Sequence, residues 1–236
     1  MNQFEEIRQS LTRLSAAERD AMITWLLRQR PDRIEEAHPA YTTPLPELMT
    51  LEEFLEFQQE SPIRYEFVNG IIRPVGGPTV AHGIVAQNIF RAIDSHLRKG
   101  PCHAFISTCD VKLTPGTDEI VYVPDVFVSC DRTVWDEKWI PNPKFVVEVL
   151  SPSTAQIDRK EKAATYRRVS SVEEYVIASQ KCAELTIYRR AARWLPELVS
   201  GMEAIAEFRS LGVSVPLAVI YEEVLRVLTP SSGDGG

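Results

Sequence analysis

The chain has 236 residues, 44% of them hydrophobic, and a formal net charge of −7. That length accommodates one large domain, or one domain with an appendage, around a sizeable core. The acidic balance argues against a tight non-specific nucleic-acid binder, which would carry a basic surplus.

Residues 3–14 and 16–29 read as two amphipathic helices, forming a helical hairpin over residues 1–30. Ser15 and Glu18 have the Ser-x-x-Glu spacing of a capping box for the second helix. The hairpin is too small to be a stable domain alone, so it reads as an appendage or an oligomerisation element. Pro39, Pro44 and Pro46 mark a linker over 31–47. The acidity concentrates in the N-terminal part: residues 1–60 hold 12 acidic and 6 basic side chains, the remainder 21 and 20.

Thr50 is placed to cap a helix running to about Gln58. Arg64–Val68 and Ile71–Arg73 flank Asn69-Gly70, which predicts a β-hairpin with a type I′ turn. Gly76-Gly77-Pro78 breaks the chain, and residues 80–98 read as a long helix with Ile84, Ile89, Ile93 and Leu97 facing the core. Strands are expected at about 103–113, 120–129 and 144–150, then a helix from about 155 to 168. Ser153 and Gln156 have capping-box spacing for that helix. Strands recur at 174–179 and 184–190, Trp194–Ser200 is another candidate strand, and 220–228 is a last short helix. Residues 229–236 read as a disordered tail. The order helix, three strands, helix, strand predicts an α/β (α+β) domain over 48–228, a sheet flanked by helices.

Cys102, Cys109, Cys130 and Cys182 have no CxxC spacing and read as reduced thiols rather than a zinc site or a disulfide set. No stretch is long enough to span a bilayer, and the first residues lack the apolar segment of a signal peptide. The expectation is a soluble, cytoplasmic protein.

Two acids interrupt runs that otherwise read as buried strand: Asp125 within Ile120–Val128 and Glu148 within Phe145–Leu150. A buried, unpaired carboxylate is costly, and a divalent metal held between two of them is the simplest compensation. The other reading gives each acid an arginine partner or a loop to cap. Strand alternation puts Glu148 on one face with Val146 and Leu150.

Tyr65-Glu66-Phe67-Val68-Asn69-Gly70, His82, Pro124-Asp125, Val147-Glu148-Val149-Leu150-Ser151-Pro152-Ser153 and Glu161-Lys162 followed by Tyr166 resemble the Uma family within the PD-(D/E)XK nuclease superfamily. The resemblance covers about residues 48–228, and Glu148–Ser153 is its most specific part. It implies a restriction-endonuclease-like core, a central mixed sheet in the order αβββαβ, and Mg²⁺- or Mn²⁺-dependent hydrolysis of nucleic acid, with DNA the favoured polymer. It implies that Asp125, Glu148 and the backbone carbonyl of Val149 bind the metal, with Glu66 and His82 beside them. Relatives of this fold commonly act as dimers, so a homodimer is expected. The chain departs from the pattern at Leu150, which stands where the Glu-x-Lys motif has its lysine. Lys162, from the following helix, is the implied replacement, and Tyr166 shares its face.

Each of these residues also has a plainer reading. Lys162 could pair with Asp158 at i,i+4 on a solvated helix face. Tyr166 could be an ordinary half-buried aromatic, Glu66 a solvated strand position and His82 a first-turn polar residue. Ser151 and Ser153 read as turn and cap residues. Residues 159–168 carry five bases against one acid, so Arg159, Lys160 and Arg167 could approach a phosphate backbone or simply face solvent. No GxSxG, HExxH or phosphate-cradling loop is present. The rival functions are a catalytically inactive nucleic-acid-binding or scaffold module of the same fold, and a self-associating structural protein.

Overall fold

The structure, a computed structural model, describes residues 48–228 except 108, 136, 137 and 153. The expected helical hairpin, linker and tail, together with the Ser153 cap, lie outside the described residues. Helix α1 (Leu51–Glu60) begins at Thr50, whose side chain accepts from the Glu53 N–H while Glu53 reaches back to the Thr50 N–H, a complete capping box. Strands β1 (Tyr65–Val68) and β2 (Ile71–Pro74) form the expected hairpin. Asn69 and Gly70 both have positive φ, 47° and 91°, as a type I′ turn requires.

Helix α2 (Val80–Leu97) is capped by Thr79 and buries Ala81, Val85, Ala86, Ile89, Ile93 and Leu97, with Ile84 packed at the margin. The two strands expected after it are each split: β3 (His103–Ile106) from β4 (Val111–Leu113), and β5 (Ile120–Tyr122) from β6 (Val126–Ser129). The breaks fall at Ser107, with φ of 39°, and at Pro124-Asp125, where proline has no N–H to extend a ladder. They coincide in space, since the Ser107 N–H donates to the Asp125 carbonyl at 3.0 Å. Past these kinks the halves belong to different sheets.

β3 and β6 join β7 (Phe145–Leu150), β8 (Glu174–Ser179), β9 (Glu184–Arg189) and β10 (Pro196–Ser200) in a six-stranded sheet of order β10-β9-β8-β7-β6-β3. It is mixed: β7 and β8 run parallel, and the other neighbours antiparallel. The αβββαβ core therefore runs through α2, β3, β6, β7, the next helix and β8. β4 and β5 join the hairpin in a four-stranded sheet of order β2-β1-β5-β4. The helix after β7 comprises α3 (Ala155–Ile157), a π turn (Asp158–Lys162) and α4 (Ala163–Arg168).

One face of the six-stranded sheet (Val126, Val128, Phe145, Val147, Val149, Val176) packs on α2, a two-stranded ribbon of β11 (Ile205–Phe208) and β12 (Val213–Pro216), and short helices α5 (Leu217–Ile220) and α6 (Val224–Leu228). The ribbon is absent from the sequence reading, and the last expected helix is two pieces. The other face (Phe127, Val146, Tyr175, Ile177) packs on α4 and on Val111, Leu113, Ile120 and Tyr122 of the four-stranded sheet. The outer face of β1 (Tyr65, Phe67) is covered by α1 through Phe54. Glu66 alternates to the opposite side.

The cysteines correct the sequence expectation. Cys102 and Cys130 form a disulfide, and Cys109 and Cys182 are free. The antiparallel register His103↔Ser129 brings the two flanking positions opposite each other, a pairing that Cys spacing does not reveal. Among the described residues no helix is long and apolar enough to cross a membrane.

Candidate active site

The kink at Pro124-Asp125 fixes the first acid. The β6–β7 ladder closes at Val126↔Val147, and the Asp125 carboxylate takes over as acceptor, receiving the Val149 N–H on Oδ2 at 2.7 Å. Asp125 is thus at a strand break and part-exposed, not inside a continuous buried strand as the sequence suggested. Glu148 is inside one, in β7, with 4% exposure. Glu66 of β1 is 8% exposed and accepts the Val123 N–H at 3.2 Å.

Lys162 ties these strands together. Its Nζ lies 2.8 Å from Glu66 Oε1, 2.9 Å from Glu148 Oε1 and 3.6 Å from Asp158 Oδ1. The i,i+4 pair with Asp158 exists, but the helix face carrying it is buried, with Lys162 5% and Asp158 1% exposed. Burial disfavours the ammonium, yet Glu148, Glu66 and Asp158 outweigh it and hold the Lys162 pKa well above its ordinary value. For Glu148, burial is the largest influence and pushes its pKa well up, against the pull of Lys162.

Tyr166 is fully buried and donates to Glu148 Oε1 at 3.2 Å. Its ring packs between Tyr122 and Tyr175, at centroid distances of 5.7 and 4.9 Å. His82, in the first turn of α2, places Nε2 3.2 Å from Asp125 Oδ2. Burial lowers its pKa, but the bond to Asp125 and its charge prevail, so the net shift is upward.

All of these groups except Tyr166 line one cleft of about 380 Å³, together with Arg64, Arg73, Ser151 and Asp158. Arg64 is paired with Asp110, and Arg73 with Glu161 at 2.7 Å. Ser151 is a turn residue, its Oγ accepting the Thr154 N–H at 3.1 Å. Arg159, Lys160 and Arg167 are exposed and outside the cleft lining, and Arg167 lies over the Tyr188 ring at 4.9 Å. Asp158 is the cleft residue that the sequence reading undervalued. The available signal was its position four residues before Lys162, which puts both on one helix face.

Among the described residues no three of His, Cys, Asp and Glu are close enough together to cage a metal ion. The cation lying among the acids is the ammonium of Lys162. The donor set is nonetheless oxygen-rich: Glu66, Asp125, Glu148 and Asp158 line the cleft with Lys162, His82, Arg64 and Arg73, the two arginines being engaged by Asp110 and Glu161, and Asp158 Oδ1 is buried without a hydrogen-bond partner. Such hard oxygens suit Mg²⁺ or Mn²⁺.

Residues 51–218 match the Uma2 family model, described as "Putative restriction endonuclease". The chain belongs to this family. Family relatives include "Uncharacterized protein slr1290" of Synechocystis sp. (strain ATCC 27184 / PCC 6803 / Kazusa), 30% identical over 183 residues, 76% of this chain and 94% of that protein. A second, "Uncharacterized protein sll1609" of the same organism, is 26% identical over 166 residues, 68% and 93% of the two chains. Among solved structures, that of "a putative nuclease belonging to DUF820" from Anabaena variabilis ATCC 29413 superposes with a TM-score of 0.64 at 17% identity. It covers 75% of this chain and 99% of that one, and the shared restriction-endonuclease-like fold accounts for the αβββαβ core.

Proposed function

We propose that this chain is a metal-dependent endonuclease that hydrolyses phosphodiester bonds in nucleic acid, with DNA as the polymer. The supporting observation is the convergence of Glu66, Asp125, Glu148 and Lys162 on one cleft in a member of a family described as "Putative restriction endonuclease". Asp125, Glu148 and the Val149 carbonyl would hold Mg²⁺ or Mn²⁺, with Glu66 and His82 beside them. A bound divalent ion supplies an activated water and offsets charge on the phosphate.

The remaining roles belong to the chain's own side chains. Lys162 brings a fixed positive charge to the end of β7, where Leu150 leaves the motif's lysine position apolar. It would balance negative charge developing on a phosphate oxygen. Glu66 aims that ammonium, Tyr166 orients Glu148 through its hydroxyl, and His82 orients Asp125. Arg159 and Lys160 would contact the phosphate backbone. A homodimer and a cytoplasmic location belong to the same proposal, though the Cys102–Cys130 disulfide removes the reduced-thiol argument for that location.

The test is nicking of supercoiled plasmid by the full chain in Mg²⁺ or Mn²⁺. Wild type should nick, and Asp125→Ala and Glu148→Ala should each lose at least about a hundredfold in rate. A second reading, an inactive nucleic-acid-binding module, draws on Leu150 and on the engagement of Lys162 by acids. DNA binding without nicking by wild type in either metal would favour it and sink the first.

A further inference from the structure

Glu66, Asp125, Glu148 and Asp158 line the cleft, and a phosphate strand entering it meets their repulsion. Lys162 does little to offset this at the mouth: its side chain is 6% exposed, and its ammonium is held by Glu66 and Glu148. The more open positive charges of the lining are Arg64 and Arg73, with side chains 36% and 29% exposed. Both come from the β1–β2 hairpin and share the face that carries Glu66. Arg73 stands directly opposite Glu66 in the register. Arg64 lies two residues before Glu66, and its carbonyl continues the ladder by accepting the Val75 N–H at 2.8 Å. The two arginines are therefore diagonal neighbours across the hairpin, about 7–8 Å apart at the backbone. Each has donors to spare. Among the described residues Arg73 spends one N–H, on Glu161, and Arg64 spends two, on the Ser107 carbonyl and on Asp110. A guanidinium has five. Two glycines of the lining leave room for a ligand: a Cβ added at Gly77 or Gly83 would touch nothing within 4 Å beyond its adjoining residues.

We propose that Arg64 and Arg73 bind two phosphates of the nucleic-acid backbone and so draw the strand along the hairpin toward Asp125 and Glu148. This deepens the nucleic-acid reading above, on which it rests, and it holds for cleavage and for binding alone. A planar guanidinium fork matches a pair of phosphate oxygens. Asp110 and Glu161 hold the two forks while no strand is bound. Partly exposed ion pairs of this kind are worth little, so a phosphate can share or displace them. Arginines with a purely structural duty would instead lower stability on removal and leave the salt dependence of binding alone.

The experiment measures binding of a labelled DNA duplex to the full chain by fluorescence anisotropy over a range of salt. Divalent metal is left out so that no cleavage occurs, and melting temperature is followed in parallel. Arg64→Gln and Arg73→Gln should each flatten the slope of log affinity against log salt by about 0.9, and the two together by about twice that. Arg64→Lys, which keeps the charge, should keep the slope. Glu161→Gln should tighten binding, and only while Arg73 is present, a coupling that a structural arginine would not show. A slope unchanged within about 0.3 in the folded double variant overturns the inference and leaves the nuclease reading standing. Should the double variant unfold, Arg73→Gln decides alone by the same criterion. A wild type that shows these slopes but never nicks in Mg²⁺ or Mn²⁺ supports the two contacts and removes the catalytic reading. No DNA binding by wild type overturns both.

Discussion

Two buried charge clusters sit on the six-stranded sheet, and only one is closed. At the start of β8, Glu174 is 1% exposed and has both oxygens filled. Oε1 accepts from Arg189 Nε at 2.7 Å and the Arg209 N–H at 3.1 Å; Oε2 accepts from the Ser210 N–H at 2.8 Å and Ser210 Oγ at 2.6 Å. Arg189 in turn pairs with Glu197 and donates to the Glu207 carbonyl at 2.7 Å. This network pins the β11–β12 turn to the sheet and leaves nothing to bind. At the other end of the parallel β7–β8 pair, Lys162 lies among three carboxylates, and Asp158 Oδ1, 3.6 Å from its ammonium, has no hydrogen bond. Ligands in open α/β sheets gather at the carboxyl ends of parallel strands, and that is where the open cluster lies. The difference teaches that burial of charge alone does not mark a site; incomplete pairing does.

The largest effect should come from breaking the closed cluster. Arg189→Met strands Glu174 in the interior and should cost about 3–5 kcal/mol, read as a lower midpoint in urea denaturation. Glu148→Gln in the open cluster keeps the shape and removes one of several crowded acids. It should cost less stability than Arg189→Met, because Lys162 keeps Glu66 and Asp158, while abolishing the Mn²⁺-induced rise in melting temperature. Equal losses in the two variants would erase the distinction between the clusters.

Much of this contrast was legible in the sequence, but unevenly. Glu148 was readable because strand alternation in Phe145–Leu150 leaves it the lone charge of a buried strand. The hairpin was readable from Asn69-Gly70, since few pairs tolerate two positive φ values. The sheet switch was hidden because apolar residues continue across both kinks, and only Pro124 signals the break. Ser107 adopts its positive φ for a tertiary reason, its bond to the Asp125 carbonyl. The closed cluster was invisible, because Glu174 and Arg189 meet only through the register of β8 with β9. Glu66 and Lys162, 96 residues apart in the chain, approach each other only because the four-stranded sheet folds over α4. The family resemblance supplied that pair; local pattern did not.

A middling effect is expected at Tyr166. Its hydroxyl is one of two donors to Glu148 Oε1, the other being Lys162. Tyr166→Phe keeps the ring packed between Tyr122 and Tyr175 and removes only the hydrogen bond, which to a charged group is worth about 1.5–3 kcal/mol. Chemical denaturation should show a loss in that range. If Tyr166 orients Glu148 for catalysis, the nicking rate at saturating DNA should fall while DNA affinity holds. A loss of stability with no change in rate would return Tyr166 to a packing role.

The smallest effects separate the exposed bases. Arg159 and Lys160 lie on the π turn, between two residues that line the cleft, whereas Arg167 stacks over Tyr188 of β9. Removing Arg167 should cost about 0.5–1 kcal/mol of stability, the worth of an exposed cation–π interaction, and leave DNA affinity unchanged. Removing Arg159 and Lys160 together should spare stability. It should flatten the slope of log affinity against log salt by about one unit for each phosphate that is no longer neutralised. The two sets of variants therefore invert each other's readouts. A salt slope that responds to Arg167 and ignores Arg159 and Lys160 would move the DNA path away from the open cluster and toward the face of β9.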